Sequence, residues 1–142
     1  MELFSKEEEK RIVEAIKAAE LGTSAEVKVH IDKYCKGNPV EQAVKWFYTL
    51  EMEKTAAANG VLIYIAYKDR KMAIIGDKGI DAVVEEGFWD FTYELMRQNF
   101  SAGNHCEGLC RAIENVSTKL KEFFPYTSDD INELSDEISY GK

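Results

Sequence analysis

Hydrophobic and polar positions alternate along this chain in patterns that predict strands and helices in turn. The most informative stretch is residues 59–80, in which an Asn-Gly pair precedes a continuous apolar run over 61–67. A short run rich in β-branched and aromatic residues, without polar alternation, is typical of a strand covered on both faces. The charged connection 68–71 is short enough to return the chain over 72–75 as an antiparallel neighbour. The pattern therefore predicts a β-hairpin at the centre of the fold.

The residues before this hairpin predict a helix and then a strand. Ser5 and Glu8 have the spacing of a capping box, and Gly22 is a plausible end for the helix that follows. Residues 27–31 then alternate apolar and polar side chains, which predicts a strand that is half exposed or at the edge of a sheet. His30 falls on the polar phase of that strand, so we expect it to be an exposed residue rather than a ligand.

A second helix connects the two predicted strands. Asn38 as N-cap, Pro39 at the first helical position and Glu41 three residues after the cap form a strong helix start. A strand, a helix and a strand in this order predict a right-handed crossover between parallel neighbours. The strands 27–31 and 61–67 should therefore lie side by side and run in the same direction.

The remaining chain reads as helices followed by an acidic tail. We expect a short helix over 80–86, a second over 88–100 and a longer one that ends at Phe124-Pro125. Trp46 and Trp89 lie in amphipathic helices, which indicates core or partly buried positions. The prediction is one α/β domain over residues 1–125, with an acidic C-terminal tail over 126–142 that either docks or stays loose.

Charge and composition narrow the classes of partner. The 142 residues carry a formal charge of −8, which disfavours nucleic acid and anionic lipid and favours a cation or a basic partner. The sequence predicts no secretory signal and no membrane insertion, because no apolar run reaches the ~20 residues of a membrane span. The odd set Cys35, Cys106 and Cys110 predicts free thiols in a reducing cytoplasm. Cys106 and Cys110 share an apolar helix face, so core packing is favoured over metal binding or oxidation.

The predicted topology brings oxygen-bearing side chains to one edge of the sheet. That edge holds the starts of strands 27–31 and 61–67 and the end of strand 72–75. The residues expected there are Thr23, Ser24, Glu26, Thr55, Asn59, Gly76, Asp77 and Asp81. Ligands that are all oxygen suit Ca²⁺ or Mg²⁺ rather than Zn²⁺, and Ca²⁺ tolerates irregular coordination better. We take Glu26, Asn59, Asp77 and Asp81 as the candidate metal ligands.

A simpler interpretation of the same residues stays open. Asp77 has the position of an N-cap for a helix that begins near Lys78, and Glu26 can be a solvated residue at a strand end. In that case neither carboxylate needs a metal. The acidic residues of the tail do not form an EF-hand, because Leu134 occupies an acidic position and the turn glycine is missing.

Several short motifs, in order, resemble the TPM-domain family. They are Ile-Lys-Ala-Ala-Glu at 16–20, Thr-Ser-Ala-Glu-Val at 23–27, Met-Glu-Lys-Thr at 52–55, Asn-Gly-Val-Leu-Ile at 59–63, Ile-Gly-Asp-Lys-Gly-Ile at 75–80, Trp89, Glu-Gly-Leu at 107–109 and Asn-Glu-Leu at 132–134. The resemblance implies a three-layer α/β/α sandwich, similar to a Rossmann arrangement, around a small mixed sheet. It also implies divalent-cation binding in an acidic cleft, with Glu26 and Asp77 at the positions of the family's acidic motif residues.

Three functions follow as hypotheses. The first is a non-catalytic module that binds Ca²⁺, or Mg²⁺, and supports an unidentified protein partner. The alternative, implied by the resemblance, is a metal-assisted acid phosphatase that acts on phosphate esters. No catalytic residue is assigned, and a cysteine phosphatase is excluded because none of the three cysteines is followed six residues later by Arg. The third, a functional role for the Cys106 and Cys110 thiols, is disfavoured by their apolar setting.

Overall fold

A computed structural model describes residues 3–125 and 138–141 and shows an α/β fold, as predicted. Helices pack on a four-stranded mixed sheet. The elements in chain order are α1 (Lys6–Glu20), β1 (Val27–Asp32), α2 (Pro39–Thr49), a 3₁₀ turn (Met52–Lys54), β2 (Val61–Ala66), β3 (Lys71–Gly76), α3 (Lys78–Asp81), α4 (Phe88–Ser101), α5 (His105–Phe123) and β4 (Ser139–Tyr140).

The strand order is β3-β2-β1-β4. β1 and β2 pair in parallel, whereas β2 and β3 pair antiparallel, so the predicted parallel pairing and the predicted hairpin are both confirmed. The prediction of a half-exposed or edge strand at 27–31 is wrong. β1 has β2 on one side and the short β4 on the other, and His30 is 0% exposed. Helix α2 covers the face on which the polar residues of β1 lie, which the alternation by itself does not reveal.

An apolar cluster lies on each face of the sheet. On one face, alternate residues of β1 and β2, including Val29 and Ile63, pack with the buried sides of α1, α4 and α5. On the other face, Leu62 and Tyr64 of β2 pack with Phe47 of α2 and with the 3₁₀ turn. β2 contributes to both clusters, as its continuous apolar sequence predicts.

Local signals in the sequence position most of the helix ends. Ser5 and Glu8 form the predicted capping box, and the Asn38 side chain accepts hydrogen bonds from the first turn of α2. The short helix expected over 80–86 is instead the single turn α3, which starts at Lys78 directly after Asp77. Asp77 fixes this start as the N-cap, and a Cβ at Gly79 would overlap the carbonyls of Ala57 and Ala58. This close approach packs α3 against the loop that precedes β2.

The carboxylate of Asp32, at the end of β1, collects three hydrogen-bond donors. His30 Nε2 lies 2.9 Å from Oδ1, while the Tyr64 hydroxyl and Trp46 Nε1 donate to Oδ2 at 2.9 and 3.2 Å. These donors come from β1, β2 and α2, so one side chain joins three elements. Burial first, and then the Asp32 carboxylate, raise the pKa of Tyr64, which keeps the phenol protonated as a donor.

His30 links this cluster to the C-terminal strand. A carboxylate only accepts, so we assign the imidazole proton to Nε2, and Nδ1 then accepts from the Ser139 hydroxyl at 2.8 Å. The ring stacks on Trp46 with centroids 3.8 Å apart. Ser139, His30 and Asp32 thus have the connectivity of a catalytic triad. His30 is fully buried, however, so no substrate can reach it. The backbone N–H of the nearby Gly141 is also occupied, because it donates to the Ile31 carbonyl. The network therefore fastens β4 to the sheet.

Replacement of Gly141 by Ala should destabilise the fold. The backbone at Gly141 has no positive φ, so chain entropy alone would make Ala stabilising by ~0.4–1 kcal/mol. The added Cβ would overlap Asp32 Oδ1 and displace either β4 or the carboxylate. We expect the free energy of unfolding in urea to fall by ~1–3 kcal/mol. An unchanged or higher value would contradict this packing.

The His30 network should make stability depend on pH. Burial lowers the pKa of His30 below 6.5, and the Asp32 hydrogen bond opposes this only in part. The unfolded chain therefore takes up the proton first as the pH falls. The contribution of His30 is complete above pH ~6.5 and decreases below it, by at most ~1.4 kcal/mol per pH unit. Urea unfolding between pH 7.5 and 5 should show this slope, and His30→Gln should lack it. Equal slopes in both proteins would contradict the assignment.

Candidate functional site

The starts of β1 and β2 and the end of β3 lie at one edge of the sheet, which we call the amino edge. Val27 pairs with Val61, and Val61 pairs with Gly76. One residue further out, Val61 N donates to Glu26 O and Asp77 N donates to Gly60 O, both at 2.9 Å. The predicted convergence of the three strand ends is thus present in the backbone. Glu26 and Asp77 flank Gly60, about 10 Å apart if neighbouring strands have their usual spacing.

Asn59 occupies the centre of the amino edge and is 1% exposed. Its side-chain Nδ2 donates to Ser24 Oγ at 3.3 Å, and its backbone N–H donates to Thr55 Oγ1 at 3.2 Å. Among the described residues, however, nothing donates a hydrogen bond to its buried Oδ1. A buried amide oxygen without a donor costs about 1–3 kcal/mol, so a native fold usually satisfies it with a water or an ion.

Glu26 is also buried, with 1% of its surface exposed. The interpretation of Glu26 as a solvated strand-end residue is therefore wrong. A carboxylate removed from water needs compensation by hydrogen bonds or by a positive charge. Its backbone carbonyl accepts from Val61 N, so this buried carboxylate belongs to the residue that joins β1 to β2 at the amino edge.

Asp77 acts as the N-cap of α3, as the simpler interpretation expected. Its Oδ1 accepts from Lys78 N at 2.8 Å. A cap uses one carboxylate oxygen and leaves the other available to a second ligand, so the capping role and the metal role are compatible.

Asp81, the fourth predicted ligand, lies on the exposed side of α3 and is held by Trp89. Trp89 Nε1 donates to Asp81 Oδ1 at 2.9 Å. The Trp89 ring packs on Gly76, where a side chain would collide with it. Asp81 is thus fixed relative to the end of β3 by Trp89, which is partly buried, within the predicted range of core or partly buried positions.

Thr23 departs from the predicted set. Its hydroxyl hydrogen-bonds to the carbonyls of Leu120 and Phe124 and so serves the C-terminal end of α5. Across residues 3–125 and 138–141, no three Asp, Glu, His or Cys side chains lie together as a metal-holding group. Any cation at the amino edge therefore needs amide oxygens, backbone carbonyls or water in addition to carboxylates.

The three cysteines are free, as predicted, and all are buried, as the apolar helix face predicted for Cys106 and Cys110. Burial raises the pKa of Cys106 and raises that of Cys110 to about 12, although the Arg11 guanidinium beside Cys106 acts in the opposite direction. Both thiols therefore stay protonated near neutral pH, which removes them as nucleophiles.

Sequence reasoning missed the Asp32 network at the opposite end of β1. The sequence does contain a signal for this network. A crossover helix must cover one face of the sheet, and α2 carries the indole N–H donor of Trp46. A polar residue on that face, such as His30, needs a buried partner, and Asp32 is two residues away. The acidic residues at 129–137 of the predicted tail lie outside the part of the chain that the structure describes.

Within the described residues, no helix is both long enough and apolar enough to cross a membrane.

Comparison with known proteins identifies the family. The TPM domain model matches residues 1–119. The BA42 protein of the psychrophilic bacterium Bizionia argentinensis, solved by NMR, is 43% identical in sequence. Its structure has a TM-score of 0.90, with 99% of this chain and 97% of that chain covered. No curated protein sequence matches the chain.

Two more distant structures share the fold alone. The N-terminal domain of protein cg2496 from Corynebacterium glutamicum is 14% identical, with a TM-score of 0.67 over 92% of this chain and 81% of that one. The N-terminal domain of a protein from P. gingivalis is 19% identical, with a TM-score of 0.68 over 88% and 83%.

The capping role of Asp77 can be separated from its charge. In EDTA, Asp77→Ala should lower the free energy of unfolding by ~1 kcal/mol because the N-cap is lost. Asp77→Asn should change it by only a few tenths of a kcal/mol, since Asn caps helices about as well as Asp. Urea denaturation of both variants measures the difference. If both substitutions cost the same, the Lys78 hydrogen bond does not stabilise α3.

Proposed function

Because this chain belongs to the TPM domain family, we propose that it is a non-catalytic module that binds a divalent cation at the amino edge and supports a partner protein. Ca²⁺ is the preferred ion and Mg²⁺ the second choice. Glu26, Asn59, Asp77 and Asp81 are the proposed ligands, and because no three carboxylates converge among the described residues, at least one of them would bind the ion through water. The cation would connect the starts of β1 and β2 to α3.

The observation that carries this proposal is the buried amide oxygen of Asn59. Among the described residues no group donates to it, and a cation is a natural partner for an oxygen between two strand ends. Glu26, at the start of β1, contributes a buried carboxylate to the same edge, and carboxylate oxygens are ligands that Ca²⁺ and Mg²⁺ take. Every proposed donor is an oxygen, which suits Ca²⁺ and Mg²⁺ and does not suit Zn²⁺ or copper.

The donor set also indicates the strength and identity of the ion. Mg²⁺ requires a near-octahedral shell, whereas Ca²⁺ accepts irregular sets that include carbonyls and water. The amino edge has few carboxylates and a helix turn of only four residues, so an irregular shell is expected. We expect weak binding, with a dissociation constant of ~10⁻⁴–10⁻³ M, as in sites of low charge.

Two finer features belong to the same proposal. We propose a three-layer α/β/α arrangement similar to a Rossmann fold, supported by an apolar cluster on each face of the sheet. We also propose a reducing, cytoplasmic location, supported by three thiols that are free and buried.

Thermal unfolding tests the cation site. At 10 mM Ca²⁺, a site of this strength adds ~1.4–2.7 kcal/mol to the stability of the folded state. Each kcal/mol moves the midpoint of a domain of this size by ~2–5 °C. We therefore expect the melting temperature to rise by several degrees over the value in EDTA, and to rise less in Mg²⁺.

Variants identify the ligands. Asp77→Asn keeps the cap but removes the charge, so it should abolish most of the Ca²⁺-dependent rise, and Glu26→Gln should do the same. Asp90→Asn, at an exposed position in the first turn of α4, is the matched control and should retain the full rise. A rise that survives Asp77→Asn and Glu26→Gln would place the ion elsewhere, and no rise with either ion would reject the proposal.

Tryptophan fluorescence supplies a second readout. Trp89 contacts Asp81 at the amino edge, whereas Trp46 contacts Asp32 at the other end of β1. Titration with Ca²⁺ should change the emission of Trp46→Phe, which retains Trp89, and leave Trp89→Phe almost unchanged. The opposite pattern would contradict a site at the amino edge.

Hydrolysis of a generic phosphate ester tests the alternative function. A metal-assisted phosphatase should release phosphate from p-nitrophenyl phosphate in the presence of Ca²⁺ or Mg²⁺ and lose this activity in Asp77→Asn. We expect no release by the folded wild-type protein, because no three metal-ligating side chains converge among the described residues. Release that depends on Asp77 would replace the non-catalytic proposal.

A further inference from the structure

Positive charge is concentrated at the end of the sheet opposite the amino edge. We define the basic face as loop 33–38, helix α2 and the β2–β3 turn 67–71. It contains six basic residues, Lys33, Lys36, Lys45, Lys68, Arg70 and Lys71, and only two acidic ones, Glu41 and Asp69. The whole chain has a charge of −8, so this face opposes the sign of the rest of the molecule.

Hydrogen bonds hold these segments together as one surface. Lys68 N donates to Lys33 O at 2.9 Å, and Lys71 Nζ donates to the carbonyls of Cys35 and Gly37 at 3.1 and 2.8 Å. The Asp69 carboxylate accepts from Cys35 N at 2.8 Å, so one of the two acids of the face is used internally. The loop and the turn therefore present their cations side by side.

The remaining cations have no fixed counter-ion within the part of the chain that the structure describes. Lys33, Lys36, Lys45, Lys68 and Arg70 are exposed, and none forms an ion pair with a described residue. Outside the basic face, exposed basic residues such as Lys54, Arg97 and Arg111 do form ion pairs with acidic side chains.

An exposed apolar stripe lies within the basic face. Val40, Val44 and Tyr48 are at i, i+4 and i+8 of α2, so they fall on one side of the helix, and Tyr34 precedes them in the loop. Tyr34 is 64% exposed and Tyr48 is 58% exposed. Tyr is enriched in protein interfaces, where its ring packs and its hydroxyl stays solvated.

We propose that the basic face is a docking surface for an acidic, apolar-containing segment of a partner protein. Carboxylates of the partner would meet the loop and turn cations, and its apolar residues would cover the α2 stripe. The net charge of the chain alone favours a basic partner, but the positive charge of the basic face favours an acidic partner at this end. The inference rests on the proposed role as a module that supports a partner, and it specifies that this partner is acidic and partly apolar where it binds. It does not depend on the cation site, which lies at the other end of the sheet.

Protein is favoured over the two other anionic classes. A membrane-binding helix presents Trp, Phe or Leu flanked by several basic residues, whereas α2 presents two valines and a tyrosine beside Glu41 and a single lysine. Nucleic acid is a long polyanion that would extend past the basic face onto a chain of net charge −8, whereas a short acidic segment fits within the face.

Fluorescence anisotropy tests the proposal in EDTA, so that a failure of the cation site has no influence. The probe is a labelled 12-residue peptide of glutamate interspersed with leucine and phenylalanine, and its glutamine counterpart is the reference. The acidic peptide should bind at least ~10-fold more tightly than the reference at low salt, and this preference should decline with salt.

Charge reversal localises the binding. Lys33→Glu/Lys36→Glu/Lys68→Glu should weaken acidic-peptide binding at least ~10-fold, whereas Lys6→Glu/Lys10→Glu/Lys17→Glu on exposed positions of α1 gives the same net charge and should weaken it less than ~2-fold. Equal losses in the two triple variants would overturn the proposal, because only bulk charge would then matter. If the reversed variant is misfolded by circular dichroism, the glutamine triple at 33, 36 and 68 replaces it.

The apolar stripe is tested separately. Val44→Ser/Tyr48→Ser should weaken binding of the acidic peptide several-fold at unchanged salt dependence. Vesicles of phosphatidylcholine with phosphatidylserine and a short DNA duplex are the competing probes. Binding to vesicles or to DNA with no preference for the acidic peptide would overturn the proposal.

Discussion

The parallel pairing of β1 with β2 is the constraint on which the rest of this structure depends. Parallel neighbours require a crossover, so α2 must cover one face of the sheet and the polar residues of β1 become buried beneath it. The same pairing aligns the two strand starts at one edge and the two strand ends at the other. The acidic amino edge and the Asp32 network are thus opposite ends of one arrangement.

Buried polar side chains have different hydrogen-bond partners at the two ends of the sheet. At Asp32 the carboxylate has three donors within the chain, so the network is complete and rigid. At the amino edge the Asn59 oxygen has no donor among the described residues. The Asp32 end is therefore satisfied by side chains of the chain itself, and the amino edge is the end at which we propose a ligand.

Patterns of local range predicted the helix caps, the hairpin and the parallel crossover, because capping and strand burial depend on neighbours in sequence. The amino edge followed from topology, and the structure brings Glu26, Asn59 and Asp77 to it. The burial of His30 could not be predicted from alternation, because it depends on which face α2 covers. The basic face also escaped prediction, since its cations come from segments about 30 residues apart that only tertiary contacts unite.

The attachment of β4 has a consequence for biosynthesis. Ser139 is 109 residues beyond His30, its hydrogen-bond partner. At a synthesis rate of about 5–20 residues per second, roughly 5–20 seconds separate the appearance of the two residues on the ribosome. During that interval β1, β2 and α2 can assemble around Asp32, but Nδ1 of His30 still lacks the Ser139 hydroxyl. The nascent protein therefore passes through a state whose sheet has one strand fewer, and a chaperone could recognise its open β1 edge.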